Sequence, residues 1–347
     1  MNVSTKHISL LLAVASLFAL GSCRNSDFDF DDYKEKPVYF ATQTPVRTLT
    51  MSDADIDVDN SLDKQHRCRI GATTGGSYSG SNGTADIEVD NSLCNNIYFD
   101  AECTDPVAAM PASYYKLSSN QIKFGGEMMG FVDVELTDDF FNDPLSATKH
   151  FVIPVKITSQ TGFDKIITGE YDTEAYASAP ALTNTEAWKV APQNYVLYCV
   201  TYMSKYGGYY LRRGTDNING TEIKREFKNE YQIEDEVVGP VVTNALNKVT
   251  LTVKYLIDNV ETYYDLVLTF DDSQKCNITS GTSGVAISGS GEFVDKGAGK
   301  YWGNTDRDQL TLSYTITDGA NTIKTSDTLV SQRTGLKFET FSYTYKK

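Results

Sequence analysis

Histidine is scarce in this chain, and none of the patterns that place it in a common catalytic site is present. Three histidines occur among 347 residues, and His66 and His150 are far apart with no HExxH motif around either. The GxSxG nucleophile elbow and the GxxxxGK phosphate loop are also missing. A glycosidase needs only two carboxylates, but no pair stands out among the many acids. We therefore predict no catalytic residues, no cofactor and a protein that is not an enzyme.

Cysteine is nearly as rare, and its spacing excludes the usual metal and redox motifs. The six cysteines include no CxxC pair, so a zinc ribbon or a thioredoxin-like site has no support, and we predict no metal site. An odd number of cysteines follows Cys23, so at least one thiol is free or pairs between chains. Cys94 and Cys103 are close enough in sequence to close a loop, which spacing alone does not decide.

Positive charge is in short supply. Lysine and arginine total 31 against 46 acidic residues, a formal net charge of −15. A chain this acidic has no electrostatic footprint for nucleic acid and is repelled by anionic membrane surfaces. We predict no nucleic-acid partner, and any attachment to a membrane must come from lipid.

The longest apolar run is short and lies at the N-terminus. It extends from Ile8 to Leu20 behind Lys6, and a membrane-spanning helix needs about 20 apolar residues. The run ends in Leu20-Gly21-Ser22-Cys23, the pattern of a lipobox, in which small residues admit the chain to the peptidase and the cysteine thiol accepts diacylglycerol. We predict a lipoprotein signal peptide over residues 1–22 and an acylated Cys23. The alternative is an ordinary secretory signal that happens to contain a cysteine.

An acidic tether, residues 23–36, follows the signal peptide. It is too rich in carboxylates to bury an apolar core, so we predict a solvated spacer. It also resembles the acidic export signal of surface-exposed lipoproteins of Bacteroides-type bacteria. That resemblance implies an outer-membrane, lipid-anchored protein facing the extracellular side; a periplasm-facing anchor is the alternative. The acids of the tether are Asp27, Asp29, Asp31, Asp32 and Glu35.

Helical periodicity is missing too, whereas short strand-like runs are frequent. In the first half the runs are separated by turn residues such as Gly75-Gly76, which favours a β-sandwich over residues 37–173. A stretch rich in Ala, Ser and Thr, residues 174–184, is the predicted linker. The predicted strands of the first half are Val38–Ala41, Arg67–Ala72, Ala85–Val89, Gly130–Leu136 and Phe151–Ile157.

The second half, residues 185–347, has the cleaner alternation of apolar and polar residues. One strand alternates from Val249 to Tyr255, Asp258-Asn259 forms a tight turn, and Glu261–Phe270 returns as its partner. Similar hairpins continue to the C-terminus, where we expect Leu336–Phe341 to complete the meander. An antiparallel meander of this kind can close into a lipocalin-like barrel without exposed edges. The predicted fold class is therefore all-β, an Ig-like sandwich followed by an antiparallel lipocalin-like β-barrel.

Several segments in both halves resemble a family of Bacteroides-type outer-membrane lipoproteins encoded in glycan-utilisation loci. Members pair an Ig-like N-terminal domain of unknown function with a lipocalin-like C-terminal domain. The resemblance covers nearly the whole mature chain and implies capture of host or dietary glycan at the cell surface. It rests on Val38-Tyr39-Phe40, Val89–Leu93, Pro111–Leu117, Ile153-Pro154-Val155, Lys205–Gly214, Trp302-Gly303, Arg307–Tyr314 and Phe338-Glu339.

One acidic motif, Asp53 to Asp59, resembles two known sites but fits neither. An EF-hand loop counted from Asp53 needs glycine at its sixth position and glutamate at its twelfth, where the chain has Val58 and Lys64. A chitinase-like motif would end on a catalytic glutamate, and Asp59 stands there instead. We interpret the motif as a solvated acidic edge, with an opportunistic calcium site as the alternative.

Aromatic side chains give the better lead to a ligand. Sugar rings pack their C–H faces on Trp and Tyr while polar neighbours bond the hydroxyls. Trp188 is a further candidate, and the alternative for every one of these rings is that it fills the core. The predicted ligand-binding residues are Trp302, Tyr301, Tyr206, Tyr209, Tyr210 and Arg212.

These observations predict a non-catalytic surface lipoprotein that binds oligosaccharide or polysaccharide beside an outer-membrane glycan importer. The main alternative is a fimbrial or adhesin subunit, or a structural scaffold, which would assemble by donating a terminal strand to a neighbour. A third possibility, a carrier of an apolar ligand, predicts a wide empty barrel.

Overall fold

The computed structural model describes residues 33, 35–55, 58–76, 79–225, 237–302 and 304–347. The side chains of Val237, Tyr301 and Trp302 are outside that description. Cys23, the signal peptide and most of the tether lie outside the described residues. About 57% of the chain is strand and 6% helix, with an N-terminal sheet domain and a closed eight-stranded antiparallel barrel. The predicted all-β fold class is confirmed.

The first part of the chain contributes fourteen strands. They are β1 (Pro37–Tyr39), β2 (Pro45–Thr50), β3 (Arg67–Thr74), β4 (Thr84–Val89), β5 (Ile97–Tyr98), β6 (Ala108–Ala109), β7 (Tyr115–Leu117), β8 (Gln121–Lys123), β9 (Met129–Leu136), β10 (Phe151–Thr161), β11 (Lys165–Ile166), β12 (Glu170–Tyr171), β13 (Trp188–Val190) and β14 (Tyr195–Met203). Among the described residues one α-helix occurs, α1 (Asp138–Asn142), with 3₁₀ turns at Asp63–Gln65, Asn91–Cys94, Pro144–Ala147 and Thr185–Ala187. None of the helices in this description is long and apolar enough to cross a bilayer.

The N-terminal sheet runs in the order β11-β1-β3-β9-β8-β4-β10-β14-β2. It folds over at β8–β9, where a single pair, Lys123 and Phe131, joins the halves. One core lies between the two layers because alternate residues of each strand point inward, as Val132, Val134 and Leu136 of β9 do. A hydrogen bond of 2.9 Å from the Tyr198 hydroxyl to the Arg69 carbonyl crosses between the layers.

The second part of the chain forms the barrel and a C-terminal tail. Its strands are β15 (Gly208–Ile218), β16 (Thr221–Arg225), β17 (Val237–Ala245), β18 (Lys248–Ile257), β19 (Val260–Phe270), β20 (Lys275–Ser280), β21 (Ala286–Trp302), β22 (Thr305–Asp318), β23 (Asn321–Arg333), β24 (Glu339–Thr340) and β25 (Thr344–Tyr345). Pairing of β15 with β23 closes the barrel. The predicted Asp258-Asn259 turn is confirmed: both residues have positive φ, 50° and 65°, as a two-residue hairpin turn requires.

Two segments lie in a different sheet from the one expected. The strand β14 falls within the predicted second domain, yet it pairs with β10 and β2 of the N-terminal sheet. Its side chains are apolar on both faces, which suits a central strand covered on both sides. The predicted closing segment, Leu336–Phe341, does not complete the barrel: β24 pairs with β2, and Phe341 is buried against the N-terminal domain. The barrel therefore begins after Met203, later than the expected residue 185.

Side chains fill the barrel interior in two zones. The half nearer the N-terminal domain is apolar, with Tyr206 stacked on Phe270 at 3.6 Å and Phe293 edge-on to both. The other half contains a buried polar network centred on Asp327. This packed interior is the opposite of the wide empty barrel that a carrier would need.

The cysteines that the structure describes are all free thiols, so Cys94 and Cys103 do not close a loop. Burial raises the pKa of Cys94 to about 12, which leaves its thiol protonated and unreactive at neutral pH.

Candidate functional site

Two of the aromatic residues predicted to bind ligand are core residues. Tyr206 and Tyr210 are 5% and 1% exposed, and the Tyr210 hydroxyl donates to the Tyr206 carbonyl at 2.9 Å. Burial raises the pKa of Tyr206 to about 12 and raises that of Tyr210 further. Because neither ring presents a face to solvent, the prediction that they form a sugar platform is wrong. Tyr210 points inward because alternate residues of β15 face the barrel interior. Tyr206, in the turn before β15, is buried against Phe270 and Phe293.

Arg212 is likewise in the interior and is not a ligand contact at the surface. Its Nε donates to Asp327 at 2.8 Å, and its Nη2 donates to the hydroxyls of Tyr255 and Tyr314 at 3.1 and 3.0 Å. Asp327 also pairs with Arg225. A guanidinium whose hydrogen-bond partners lie inside the barrel stabilises the fold, so the prediction that Arg212 binds the ligand is wrong.

The other predicted residues have different settings. Tyr209 is partly exposed at the barrel rim. Tyr301 and Trp302 lie in β21 at the rim hairpin, but their side chains are outside the description, and their roles remain predictions. Trp188 donates its indole N–H to the Ala181 carbonyl at 3.0 Å and packs edge-on against Tyr171.

A cleft opens beside Tyr209, where the loop after β2 meets the barrel rim. We call it the rim cleft, and it has two adjoining compartments that share Ala54, Asp55, Val58 and Arg307. The acidic compartment, about 490 Å³, is lined by Asp53, Ala54, Asp55, Val58, Lys296, Thr305, Asp306, Arg307, Asp308 and Ser331. The basic compartment, about 840 Å³, is lined by Ala54, Asp55, Val58, Tyr209, Arg307, Gln332, Arg333, Gly335, Leu336 and Lys337.

Four described residues of the acidic motif, Asp53, Ala54, Asp55 and Val58, line one side of this cleft, and hydrogen bonds hold Asp53 and Asp55 in place. Asp55 accepts hydrogen bonds from the backbone N–H of Thr334, at 3.2 Å, and from its hydroxyl. Asp53 accepts from Lys64 and Asn60, and the hydrogen bond from Lys64 is the main cause of its lowered pKa. Among the described residues no group of three or more His, Cys, Asp or Glu side chains is placed to hold a metal ion. The hydrogen bonds between Asp55 and Thr334 therefore join the loop after β2 to the end of the barrel.

Across the acidic compartment, Asp308 has the opposite perturbation. Burial raises the pKa of its carboxyl, and the nearby Asp295 and Asp53 raise it further. The backbone N–H of Lys296 donates to it at 2.9 Å and partly offsets these effects. The pKa of Asp53 is therefore lowered and that of Asp308 is raised, although both residues line the acidic compartment.

The basic compartment is organised around a stacked pair. The Arg333 guanidinium carbon lies 4.8 Å from the Tyr209 ring centroid, within cation–π range. Gly335 allows this packing: its φ is +76°, and a Cβ there would lie 2.5 Å from the Tyr209 ring. The pair combines an aromatic surface with a planar hydrogen-bond donor.

Sequence reasoning found Tyr209 and the Asp53–Asp59 motif but did not bring them together. Arg333 and Lys337 were missed because Arg333 ends the last barrel strand and Lys337 lies in Leu336–Phe341, which was interpreted as a strand of the barrel. The one signal in the sequence was that Arg333 and Lys337 stand four positions apart with no acidic residue between them.

The fold and the cleft define the class of this molecule: an all-β protein with an N-terminal sheet domain, a closed eight-stranded barrel and a polar cleft where they meet. Residues 205–335, which correspond to the barrel, match the model of a domain of unknown function, DUF5627. Residues 33–164 match a second model, described as an N-terminal domain.

Solved structures show the family. A Bacteroides ovatus protein of unknown function is 36% identical, with a TM-score of 0.79, and the alignment covers 91% of this chain and 100% of that one. The chain therefore belongs to the family of this Bacteroides ovatus protein.

Two other Bacteroides ovatus structures are more distant. A multidomain protein including DUF1735 is 8% identical with a TM-score of 0.39, and a protein of unknown function is 9% identical with a TM-score of 0.38. Each alignment covers 85% of this chain and 93% of the other. A comparison with curated proteins finds no match.

Proposed function

We propose that this protein is a surface-exposed lipoprotein that binds glycans for a polysaccharide-utilisation system without performing chemistry. The lipobox ending in Cys23 and the acidic tether behind it support an outer-membrane anchor facing the extracellular side. A lipoprotein cysteine that carries two or three acyl chains gives stable anchoring, where one chain would bind only weakly.

The rim cleft is the observation that carries the binding proposal. Sugars are recognised by an aromatic ring against their C–H face and by charged or amide groups that exchange hydrogen bonds with their hydroxyls. Tyr209 supplies the ring, Arg333 supplies planar donors, and Asp306 supplies a carboxylate acceptor. The proposed partners are an oligosaccharide or polysaccharide and the components of an outer-membrane glycan importer. Several anchored copies would hold one polymer through high local concentration, so each site needs only modest affinity.

A glycan array tests this proposal. The lipid-free chain starting at Asp27 is screened on host and plant glycans, with and without calcium, and a hit is expected to weaken strongly in Tyr209→Ala. Tyr263→Ala is the matched control, because Tyr263 is 55% exposed on the outer barrel surface, away from the cleft. Trp302→Ala tests the remaining sequence prediction. A folded sample that binds no glycan on the array would contradict the proposal.

A second candidate, an adhesin or scaffold subunit, is favoured by the C-terminal tail. The strands β24 and β25 leave the barrel and add to β2 and β5 of the N-terminal domain. The same addition made between two copies would be donor-strand exchange. A ladder of heat-stable oligomers on a denaturing gel would support this candidate. A protein that stays monomeric and exchanges no strand between copies would support the binding proposal.

The non-catalytic part of the proposal has its own test. Asp308, with a raised pKa, and Asp53, with a lowered one, line the same compartment, and a glycosidase pairs carboxylates that differ in this way. We expect no new reducing ends when the bound glycan is incubated with the protein. Release of reducing ends that Asp308→Asn abolishes would overturn this part of the proposal.

A further inference from the structure

We propose that the basic compartment of the rim cleft recognises an anionic group on the glycan, a uronate carboxylate or a sulfate ester. This inference rests on the proposed glycan-binding function and names the substrate class of the same site. The compartment, about 840 Å³, is within the size range of small-molecule sites.

The charge of the compartment is the first support. Among the described residues its lining includes Arg307, Arg333 and Lys337 and one carboxylate, Asp55, which already accepts two hydrogen bonds from Thr334. Among the described residues no carboxylate forms an ion pair with Arg333 or Lys337. Arg333 and Lys337 therefore present positive charge that no carboxylate in the described part of the chain neutralises.

This local charge outweighs the acidity of the whole chain at binding distance. The net charge of −15 is spread over the molecule, and salt screens exposed charges beyond about 8 Å at physiological ionic strength. A carboxylate or sulfate at the Arg333 guanidinium would therefore interact mainly with the cations of the compartment.

The geometry of Arg333 is the second support. Stacking on Tyr209 at 4.8 Å holds the guanidinium plane, while its N–H groups make no hydrogen bond to another described residue. A planar guanidinium binds a carboxylate or sulfate through two parallel hydrogen bonds. Because the stack already restricts the side chain, less entropy is lost when the anion binds.

The neighbouring acidic compartment determines the orientation in which the glycan binds. Asp53, Asp306 and Asp308 accept hydrogen bonds from sugar hydroxyls but repel an anionic group. A glycan that crosses both compartments would place its charged residue beside Arg333 and its neutral residues beside Asp306.

Calorimetric titration with two pairs of probes tests the inference. Oligogalacturonides are compared with their methyl esters, and sulfated carrageenan oligosaccharides with their desulfated forms. We expect at least one charged probe to bind tenfold or more tightly than its neutral counterpart, as is typical of a charge-assisted hydrogen bond. We also expect this preference to fall between about 50 and about 500 mM salt. The pair that shows the preference distinguishes carboxylate from sulfate.

Three variants connect the preference to the stack. Arg333→Ala should lose it, and Arg333→Lys should keep only part, because a lysine retains the charge but not the planar donors. Lys324→Ala is the matched control: Lys324 is an exposed cation on the same strand, β23, near its opposite end, and its loss should leave the preference unchanged. Melting temperatures establish that each variant is folded.

The possible results distinguish failure of this inference from failure of the proposed glycan-binding function. Equal binding of charged and neutral probes, or binding of neutral glycans alone on the array, would overturn the inference and leave glycan binding intact. A preference that survives in Arg333→Ala would also overturn it. If no glycan bound to a folded sample, both the anion preference and the proposed glycan-binding function would be overturned.

Discussion

Replacing Asp327 with Asn should destabilise the barrel more than any surface substitution. Asp327 accepts hydrogen bonds from Arg212 at 2.8 Å and from the Tyr314 hydroxyl at 3.0 Å, and it pairs with Arg225. Arg212 is 5% exposed, so solvent cannot compensate its positive charge once the Asp327 carboxylate is gone. Arg225 also pairs with Asp216, which leaves Arg212 as the main uncompensated charge.

The expected cost follows from that burial. Removing one partner of a buried ion pair costs about 3–5 kcal/mol, because the other charge stays buried and unpaired. For a domain of this size each kcal/mol lowers the melting temperature by roughly 3 °C, so the melting temperature of the barrel should fall by about 9–15 °C. Calorimetric melts of the lipid-free chain measure this shift. Glu261→Ala is the control, because the pair of Glu261 with Lys254 is solvent-exposed and should leave the transition unchanged.

A double variant makes the reasoning refutable. Arg212→Met with Asp327→Leu removes equal and opposite charges and leaves the Arg225–Asp216 pair balanced. Replacing a buried pair by apolar residues is often neutral or stabilising, so the double variant should recover most of the lost stability. A single variant that melts within a few degrees of the wild type, or a double variant no better than the single one, would refute the account.

Three further predictions concern the anchor and the cleft. Cys23→Ser should abolish incorporation of a palmitate analogue and release the protein from the membrane fraction; continued labelling would contradict the lipoprotein assignment. Asp308→Asn should raise the melting temperature at pH 7. The pKa of Asp308 is raised in the folded protein, so its contribution to stability is fully present below the pKa of an unfolded aspartate, about 4. That contribution is lost as the pH rises through the pKa of the folded state. Melts across this pH range should show the advantage of the variant vanishing in acid, and a variant less stable than the wild type at pH 7 would show the sign to be wrong. Gly335→Ala should lower both stability and glycan affinity, since it combines a φ of +76° with a contact on Tyr209, whereas Gly319→Ala, at a φ of +57° with nothing within 4 Å, should affect stability alone.

Much of the fold could be predicted because strand periodicity is a local property. In β9 the alternation of Val132, Val134 and Leu136 with outward residues is visible in the sequence and is reproduced in burial. The turn at Asp258-Asn259 was predictable because few residues other than glycine, Asn and Asp accept positive φ readily.

Strand pairing was harder to predict, because it depends on residues far apart in the chain. The strand β14 has the composition of any central strand, and nothing in it indicates that its partners are β10 and β2. The tail was assigned to the barrel by sequence proximity, whereas the closure of the barrel by β15 and β23 leaves no edge for it.

The candidate site divides in the same way. The sequence by itself determined the all-β class, the alternating strands and their tight turns, because each depends on neighbouring residues. Only the tertiary structure decided that Tyr210 and Arg212 face the barrel interior while Tyr209 faces the cleft, because adjacent residues of one strand point to opposite sides of a sheet. It also decided that Tyr206, in the turn before that strand, is buried against Phe270. It also decided that Asp55 meets Thr334 across 279 positions of sequence, a contact that exists only because the closed barrel returns its last strand to the N-terminal domain.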